Sequence, residues 1–571
     1  MPSLTKKKIR GKTYYYAREC KRINGKPKIV WQKYLGRAED IIAKMTEEVL
    51  PDEPASTIEA TVTEFGAVAA LYDLSLRLKL KELIDHHVPK RGDGPSVGTY
   101  LLAATINRCI SPTSKASMGD WYRETALRRW LDVEACQLSS QRFWDNMDRV
   151  GPEAIRAIEA DLVAHVAKEF KIELSHVLFD ATNYFTFIDT FNERCSLAQR
   201  GKSKEERKSL RIVGLALLVS ADFHVPLMHH TYPGNQHDTT TFSDLTDRLV
   251  SRFKAIHDGV ERITLVYDKG NNSRPNQDAI EASPYHFVGS LVPTQHPELL
   301  KIPCGKFRDL SNDGLPGVTA CRVTKKVFGK TRTIVITYND NLFIAQSQTL
   351  LREIAKRRQK LRELQHRLDK RQRGKVRGNN PPTVQSTQKK VDAWMKARHM
   401  RDLFNVEIHE EKGLPILRYQ FNQRAWTRLQ KTLLGKTLIF TDNDDWTDAQ
   451  IIRAYRAQHH VESAFRTMKD PHHIALRPQY HWTDQKIRVH VFSCVLALML
   501  CSLLRRELHH AGIEMSIPDI IEQLSLIKEV CVIHPPTGRK RKPFIRNVIS
   551  RMSENQKALF DALDLQRYVA T

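Results

Sequence analysis

The chain has 571 residues, enough for three or four domains with cores of their own. Apolar residues make up 41% and charged residues 27%, which excludes a disordered chain, a collagen and a membrane bundle. Lys plus Arg number 90 against 65 Asp plus Glu, and the resulting +25 points to a polyanion, nucleic acid first.

The nine cysteines form no CxxC pair. An odd, scattered set argues against a disulfide scaffold and a zinc ribbon, and fits a reducing cytoplasm. The N-terminal MPSLTKKKIRGK is basic with no apolar run behind it, so no signal peptide is expected. The most apolar run, Val491 to Leu504, spans about 21 Å as a helix, short of a ~30 Å hydrocarbon core. It is expected to be a buried core helix, and no membrane partner is expected.

In chain order, residues 1–60 are read as an N-terminal β-hairpin region. Strands at 13–21 and 27–34 flank Asn24-Gly25, a hairpin signal, with Tyr14, Tyr15 and Tyr16 on the first. Residues 61–170 read as helical and as a DNA-binding domain. Ser96 suits an N-cap for a helix through Cys109, and Pro152 opens a helix over 153–170. Trp121, Trp130 and Trp144 are expected as core anchors.

From 171 to 285 the pattern changes. Val177–Phe179 is a short strand ending in Asp180, and Leu210–Phe223 is a second, nearly continuous apolar strand. Val225–Tyr232 is a third, Thr239–Phe253 an amphipathic helix, and Ile263–Tyr267 a fourth strand ending in Asp268. The order β-β-β-α-β, with the first and last strands ending in Asp, is distinctive.

Residues 286–437 read as an insertion of short strands and a basic helical hairpin. Leu350, Ile354, Leu361, Leu364 and Leu368 set a seam along a helix over 346–372, and Lys389–Leu403 reads as the returning helix. Residues 351–380 carry twelve Lys or Arg against three acids, which suits DNA contact. Residues 438–515 hold a strand at 438–441, a helix from Thr447 to about Asp470 with capping-box spacing, and the apolar helix at 485–510. Residues 516–571 read as a basic C-terminal region with Arg539-Lys540-Arg541-Lys542.

On the helix from Thr447, Tyr455, Glu462 and Lys469 are seven apart and would share one stripe. Gln458 and Arg466 flank Glu462 at four residues. Carboxylates at the ends of adjacent strands, with a third from a packed helix, suit Mg²⁺, which takes oxygen ligands. Two such ions about 4 Å apart serve phosphodiester chemistry. The neighbouring cations suit phosphates.

These residues carry a resemblance. LFDATNYFT around Asp180, PGNQHDTTTF over 233–242, LVYDKGNNS around Asp268 and YRAQHHVESAFRTMK from Tyr455 to Lys469 resemble DDE transposases of the insertion-sequence 4 group, nearest the insertion-sequence 1634 type. The last segment is similar to the group's Tyr-x2-Arg-x3-Glu-x6-Lys signature, with Gln458 at the Arg position. Arg456 or Arg466 are the cations that stand near it.

The resemblance implies an α/β fold with an RNase H-like catalytic core, interrupted by an insertion. It implies that Asp180, Asp268 and Glu462 hold two Mg²⁺ ions, with Mn²⁺ as a substitute. Tyr455, Gln458, Arg466 and Lys469 would contact DNA near the cleaved end. Thr182 and Asn183 would orient Asp180 or touch DNA. The implied reaction is hydrolysis at transposon ends, then attack of the freed 3′-hydroxyl on target DNA. The implied partners are double-stranded DNA, as terminal inverted repeats and target, and a second copy in a homodimer. The implied setting is a bacterial cytoplasm, at the nucleoid. A catalytically silent DNA-binding protein and an RNase H-like nuclease are the competing readings.

Other motifs are weaker. Asp442, Asp444 and Asp445 precede a helix and read as capping acids. The His pairs at 229–230, 459–460, 472–473 and 509–510 diverge from one another and are not expected to bind zinc. Gly-Lys-Thr occurs at 11–13, 329–331 and 435–437 without the earlier glycine of a P-loop, so no nucleotide cofactor is expected.

Overall fold

The computed structural model describes residues 2–9, 12–23, 26–38, 59–90, 92–205, 209–236, 263–375, 380–477, 479–534 and 544–570. The chain forms two compact units, one of Met1–Ile263 with Gln458–Thr571, the other of Thr264–Ala457.

In the first unit, β1 (Pro2–Ile9), β2 (Lys12–Ile23) and β3 (Lys26–Gly36) form an antiparallel sheet in that order. The sequence pattern misses β1, whose Thr-Lys-Lys-Lys run lacks alternation. The turn at Asn24-Gly25 lies outside the described residues. β4 (Glu59–Glu64) leads into α1 (Gly66–Arg77), α2 (Leu80–His87), α3 (Val97–Ile110), α4 (Met118–Arg123), α5 (Ser140–Met147) and α6 (Pro152–Glu169). Ser96 caps α3 as expected, accepting from the Thr99 amide at 3.3 Å. Gly98 lets α3 approach α2, since a Cβ there would lie 2.5 Å from the Lys81 carbonyl.

β5 (His176–Phe185), β6 (Ile212–Ser220) and β7 (Pro226–Pro233) follow as an antiparallel run. β5 continues five residues past Asp180, so that acid sits mid-strand rather than at a strand end. The expected strand stops at Asp180, yet Ala181, Thr182, Asn183, Tyr184 and Phe185 continue it and are all buried, with Thr, Tyr and Phe suited to a strand. β6 stops at Ser220, and the β6–β7 turn carries Phe223 and His224 at φ +51° and +47°. The helix expected over 239–253 lies outside the described residues.

In the second unit, β8 (Ile263–Val266), α7 (Arg274–Glu281) and β9 (Tyr285–Leu291) form a β-α-β connection. β10 (Arg308–Asp309), β11 (Val318–Val327) and β12 (Lys330–Asn339) come next. Then follow α8 (Asp340–Gln372), α9 (Val384–Met395), β13 (Phe404–Glu411), β14 (Leu414–Phe421), α10 (Gln423–Thr432) and β15 (Lys436–Thr441). The sheet order here is β10-β11-β12-β15-β9-β8. β11 and β12 therefore extend the sheet of β8 and β9 instead of forming a separate inserted lobe. Asn339 caps α8, which starts six residues earlier than expected, accepting from the Leu342 amide at 2.8 Å. The α8 seam Ile354, Leu361, Leu364 and Leu368 buries against Val391 and Met395 of α9 and Leu417 of β14. α9 starts at a Thr383–Ser386 capping box and ends at Met395, earlier at both ends than the expected 389–403.

The helix expected over 447–470 is two helices, α11 (Asp448–Arg456) and α12 (His459–Lys469). The Val461 amide bonds back three residues to Gln458, and the Glu462 contact to Gln458 is stretched to 3.5 Å. That tight turn interrupts the ladder, which no Gly or Pro announces. Tyr455 thus belongs to α11, whereas Glu462 and Lys469 share α12.

The first unit closes with α13 (Asp484–His510), α14 (Ile517–Ser525), β16 (Lys528–His534), β17 (Phe544–Ile549) and α15 (Glu554–Ala562). Among the described residues only α13 is long and apolar enough to cross a membrane, and 94% of its apolar window is buried inside the protein. It packs on α1, α3, α12 and β7. β16 pairs with both β17 and β4, which ties these C-terminal strands to the N-terminal part of the unit. Arg539–Lys542 lie outside the described residues.

Candidate active site

Within the first unit, β5 carries Asp180, Thr182 and Asn183, and α12 packs across β5. Asp180 is half-buried, and its Oδ1 accepts the Ala181 amide at 2.8 Å. α12 buries Val461, Ala464, Phe465 and Met468, leaving Glu462 in its first turn and Arg466 one turn later on the exposed face.

Lys469, at the end of α12, reaches β5. Its Nζ donates to Thr182 Oγ1 at 2.7 Å and to the Asn183 carbonyl at 2.7 Å. Glu205 stands 3.6 Å from Lys469 and 3.3 Å from Arg477. Burial pushes the Lys469 ammonium below the usual lysine range; Lys204 and Arg477 add to this, and Glu205 opposes it. Thr182 and Asn183 are themselves buried. The Asn183 amide donates to the Lys202 carbonyl at 3.1 Å and accepts the Lys204 amide at 2.9 Å. Their polar groups are thus engaged within the protein.

Within the second unit, Asp268 follows β8 and opens a short turn over Lys269–Asn271. Ser290 of β9 donates to Asp268 Oδ1 at 3.3 Å. The Tyr455 hydroxyl lies 2.9 Å from Ser290 Oγ and 3.3 Å from Asp268 Oδ1. Tyr455 and Ser290 also border a cleft of about 540 Å³. Nothing in the sequence signals Ser290, because a lone Ser in a buried strand has no spacing cue. Glu205 and Arg477, partners of Lys469, are missed for the same reason: they are close only in the fold.

Gln458, at the signature's Arg position, is 7% exposed. Its amide oxygen and nitrogen have no hydrogen-bond partner among the described residues. Arg466 is exposed on α12, and Arg456 ends α11. Among the described residues, no group of three or more His, Cys, Asp or Glu side chains is gathered closely enough to hold a metal ion.

The acids near 442 are spent on the second unit's sheet. Asp442 accepts the Phe287 amide at 2.9 Å, and Asp444 accepts the Thr333 hydroxyl at 2.5 Å. The cap is Thr447, whose hydroxyl takes the Gln450 amide at 3.2 Å. On α8, the apolar seam faces inward and Arg352, Lys356, Arg358, Arg362, Arg367 and Lys370 are exposed. They form a cationic face along a 33-residue helix.

No curated protein matches the sequence. A piggyBac transposase, solved by cryo-EM as a synaptic complex with hairpin DNA, is similar at 8% identity, covering 82% of each chain with a TM-score of 0.33. A family described as Transposase DDE domain matches residues 173–500, a span that holds Asp180, Asp268 and Glu462. That match takes in more than half of the chain, and the protein belongs to the transposase DDE domain family.

Proposed function

We propose that this chain is the transposase of an insertion sequence, of the insertion-sequence 4 group and nearest its 1634 type, built on an RNase H-like core. The observation that carries the reading is the set Asp180, Asp268 and Glu462 inside the matched DDE span. The substrate is double-stranded DNA: the element's terminal inverted repeats and a target. Water breaks the phosphodiester at the element's end, releasing a 3′-hydroxyl. That hydroxyl then displaces a 3′-oxygen in target DNA, so one phosphodiester is lost and one formed.

The three acids offer carboxylate oxygens only, a donor set that suits Mg²⁺ or Mn²⁺. Bound there, two such ions would supply charge stabilisation at the attacking and leaving oxygens. The protein's own groups do the positioning. Tyr455 and Ser290 steer one oxygen of Asp268, and the Ala181 amide steers Asp180. Lys469, through Thr182 and Asn183, holds α12 on β5. Arg466 and the cationic face of α8 take DNA phosphates. Two copies act together, because two ends must be joined in one complex. The protein works at the nucleoid.

The test incubates purified protein and Glu462→Gln with a labelled duplex carrying the gene's own flanking DNA and Mg²⁺. Cleavage and joining by the wild type alone supports the reading. Binding without cleavage by either protein favours a DNA-binding role, and cutting without joining or end preference favours a nuclease.

A further inference from the structure

The loop that follows β5 in the first unit exposes aromatic faces. Phe191 is 89% exposed and Tyr480 72%, with Phe187 and Trp482 about half exposed beside them. Phe187 stacks on Tyr480 with ring centres 5.9 Å apart and meets Phe185 edge-on at 5.5 Å. The Arg194 guanidinium lies 5.8 Å over Trp482, and that of Arg477 lies 5.4 Å over Phe185.

This surface is braced. The Phe187 amide donates to the Gln479 carbonyl at 3.2 Å, and Asn192 donates to the Trp482 carbonyl at 2.9 Å, so the two aromatic loops are tied together. Arg211 donates to the Asn192 carbonyl at 3.0 Å and also to that of Thr190. Asp189 accepts the Phe191 amide at 2.8 Å. Large aromatic rings held in water by a pinned backbone are prepared to receive flat partners.

We propose that this aromatic and arginine surface stacks the unpaired bases of a DNA strand, an inference that rests on the DNA transposase reading. Three observations favour that occupant. Every base has a π face that an aromatic ring accepts, but in a duplex those faces are already stacked. Residues 187–211 carry seven Lys or Arg against four acids, which suits the strand's phosphates. Phe185 and Phe187 also lie on the continuation of the strand that bears Asp180. At about 3.3 Å per residue along β5, Phe185 at the edge of this surface stands roughly 17 Å from that acid. A strand with its scissile phosphate at Asp180 covers that distance in about five nucleotides even at the compact 3.4 Å spacing of a duplex strand.

The experiment uses the full-length protein and fluorescence anisotropy with a labelled 12-nucleotide single strand and a 30-base-pair duplex. Phe191→Ala combined with Tyr480→Ala is expected to weaken single-strand binding about tenfold or more, with duplex binding within twofold. Phe191→Tyr with Tyr480→Phe is expected to retain it. Equal losses on both ligands, or none, overturn the inference. So does a variant that binds single strands normally yet sediments as a smaller species than wild type, which assigns the surface to contact between copies. Wild-type protein that binds single strands through these rings but never cuts flanking duplex supports this inference and overturns the transposase reading alone.

Discussion

The Lys469 ammonium sits 2.7 Å from the Thr182 hydroxyl, two residues along β5 from Asp180 and seven along α12 from Glu462. The lysine is therefore a clamp between the strand of one acid and the helix of another, in addition to any grip on phosphate. Replacing it by Met leaves the Thr182 hydroxyl and the Asn183 carbonyl without this donor, and Glu205 with Arg477 alone. A hydrogen bond to a charged group contributes about 1.5–3 kcal/mol, so Lys469→Met should lower unfolding free energy by roughly 2 kcal/mol in urea. Cleavage should fall in step. A residue that only binds phosphate would lower DNA affinity and leave the urea midpoint unchanged.

Tyr455 reaches Asp268 Oδ1 directly and through Ser290. Tyr455→Phe keeps the ring and removes the hydroxyl. The expected result is about a tenfold fall in cleavage rate, equivalent to ~1.4 kcal/mol, with little change in melting temperature. Raising Mg²⁺ should recover part of the rate if the hydroxyl acts by orienting the carboxylate. A Tyr455→Phe protein that cleaves like wild type at limiting Mg²⁺ would remove Tyr455 from the site.

Much of this was legible before any coordinates. Apolar runs mark β6 and α13 because a buried element needs unbroken apolar sequence. Capping residues mark the starts of α3 and α11, since Ser96 and Thr447 take orphan amides. The acids Asp180, Asp268 and Glu462 stand out by motif. Hidden were features set by tertiary contact. The Asp180 strand runs on through Thr182 and Asn183, polar residues that burial and Lys469 accommodate. The helix break at Ala457-Gln458 has no breaker residue to announce it. Ser290, Glu205 and Arg477 matter through neighbours far away in the chain.

The exposed cations of α8 share one face, and among the described residues no carboxylate pairs with Arg352, Lys356 or Arg362, while Arg357 pairs with Glu353 at 2.9 Å. Changing Arg352, Lys356 and Arg362 to Gln should weaken duplex binding and lower the slope of log K against log salt by about 3. Stability should hold, because the seam of Ile354, Leu361 and Leu364 is untouched. An unchanged salt slope would take this face out of the DNA contact.

Gln458 buries an amide with no partner among the described residues. A buried unsatisfied polar group costs about 1–3 kcal/mol. Gln458→Met, of similar length, should raise the urea midpoint by an amount worth roughly 1 kcal/mol. If DNA supplies the amide's partner, the same variant should bind its duplex more weakly despite being more stable. A variant that is neither more stable nor weaker in binding would mean that the amide is satisfied in the free protein.

Acid should loosen the first unit at its histidines. His224 is buried in the β6–β7 turn, with neither ring nitrogen hydrogen-bonded among the described residues, and its ring stacks 6.1 Å from that of His460. Burial brings His224 down to about 3, with His460, Arg505 and His459 adding to the shift. Burial, with His459 and Arg505, brings His460 down to about 4, and Asp222 opposes this. Asp222 is already paired with Arg506 at 3.0 Å, which limits the compensation it offers new positive charge. Both folded values lie below the ordinary 6.5, so the unfolded chain binds more protons in that window. Stability is complete above about 6.5 and is lost as pH falls through 4 towards 3. For His224 the full shift corresponds to a loss on the order of 5 kcal/mol. His224→Asn, which tolerates the positive φ, should flatten the stability profile between pH 6 and 4 in urea titrations. A profile of unchanged slope in that variant would assign the acid sensitivity to other groups.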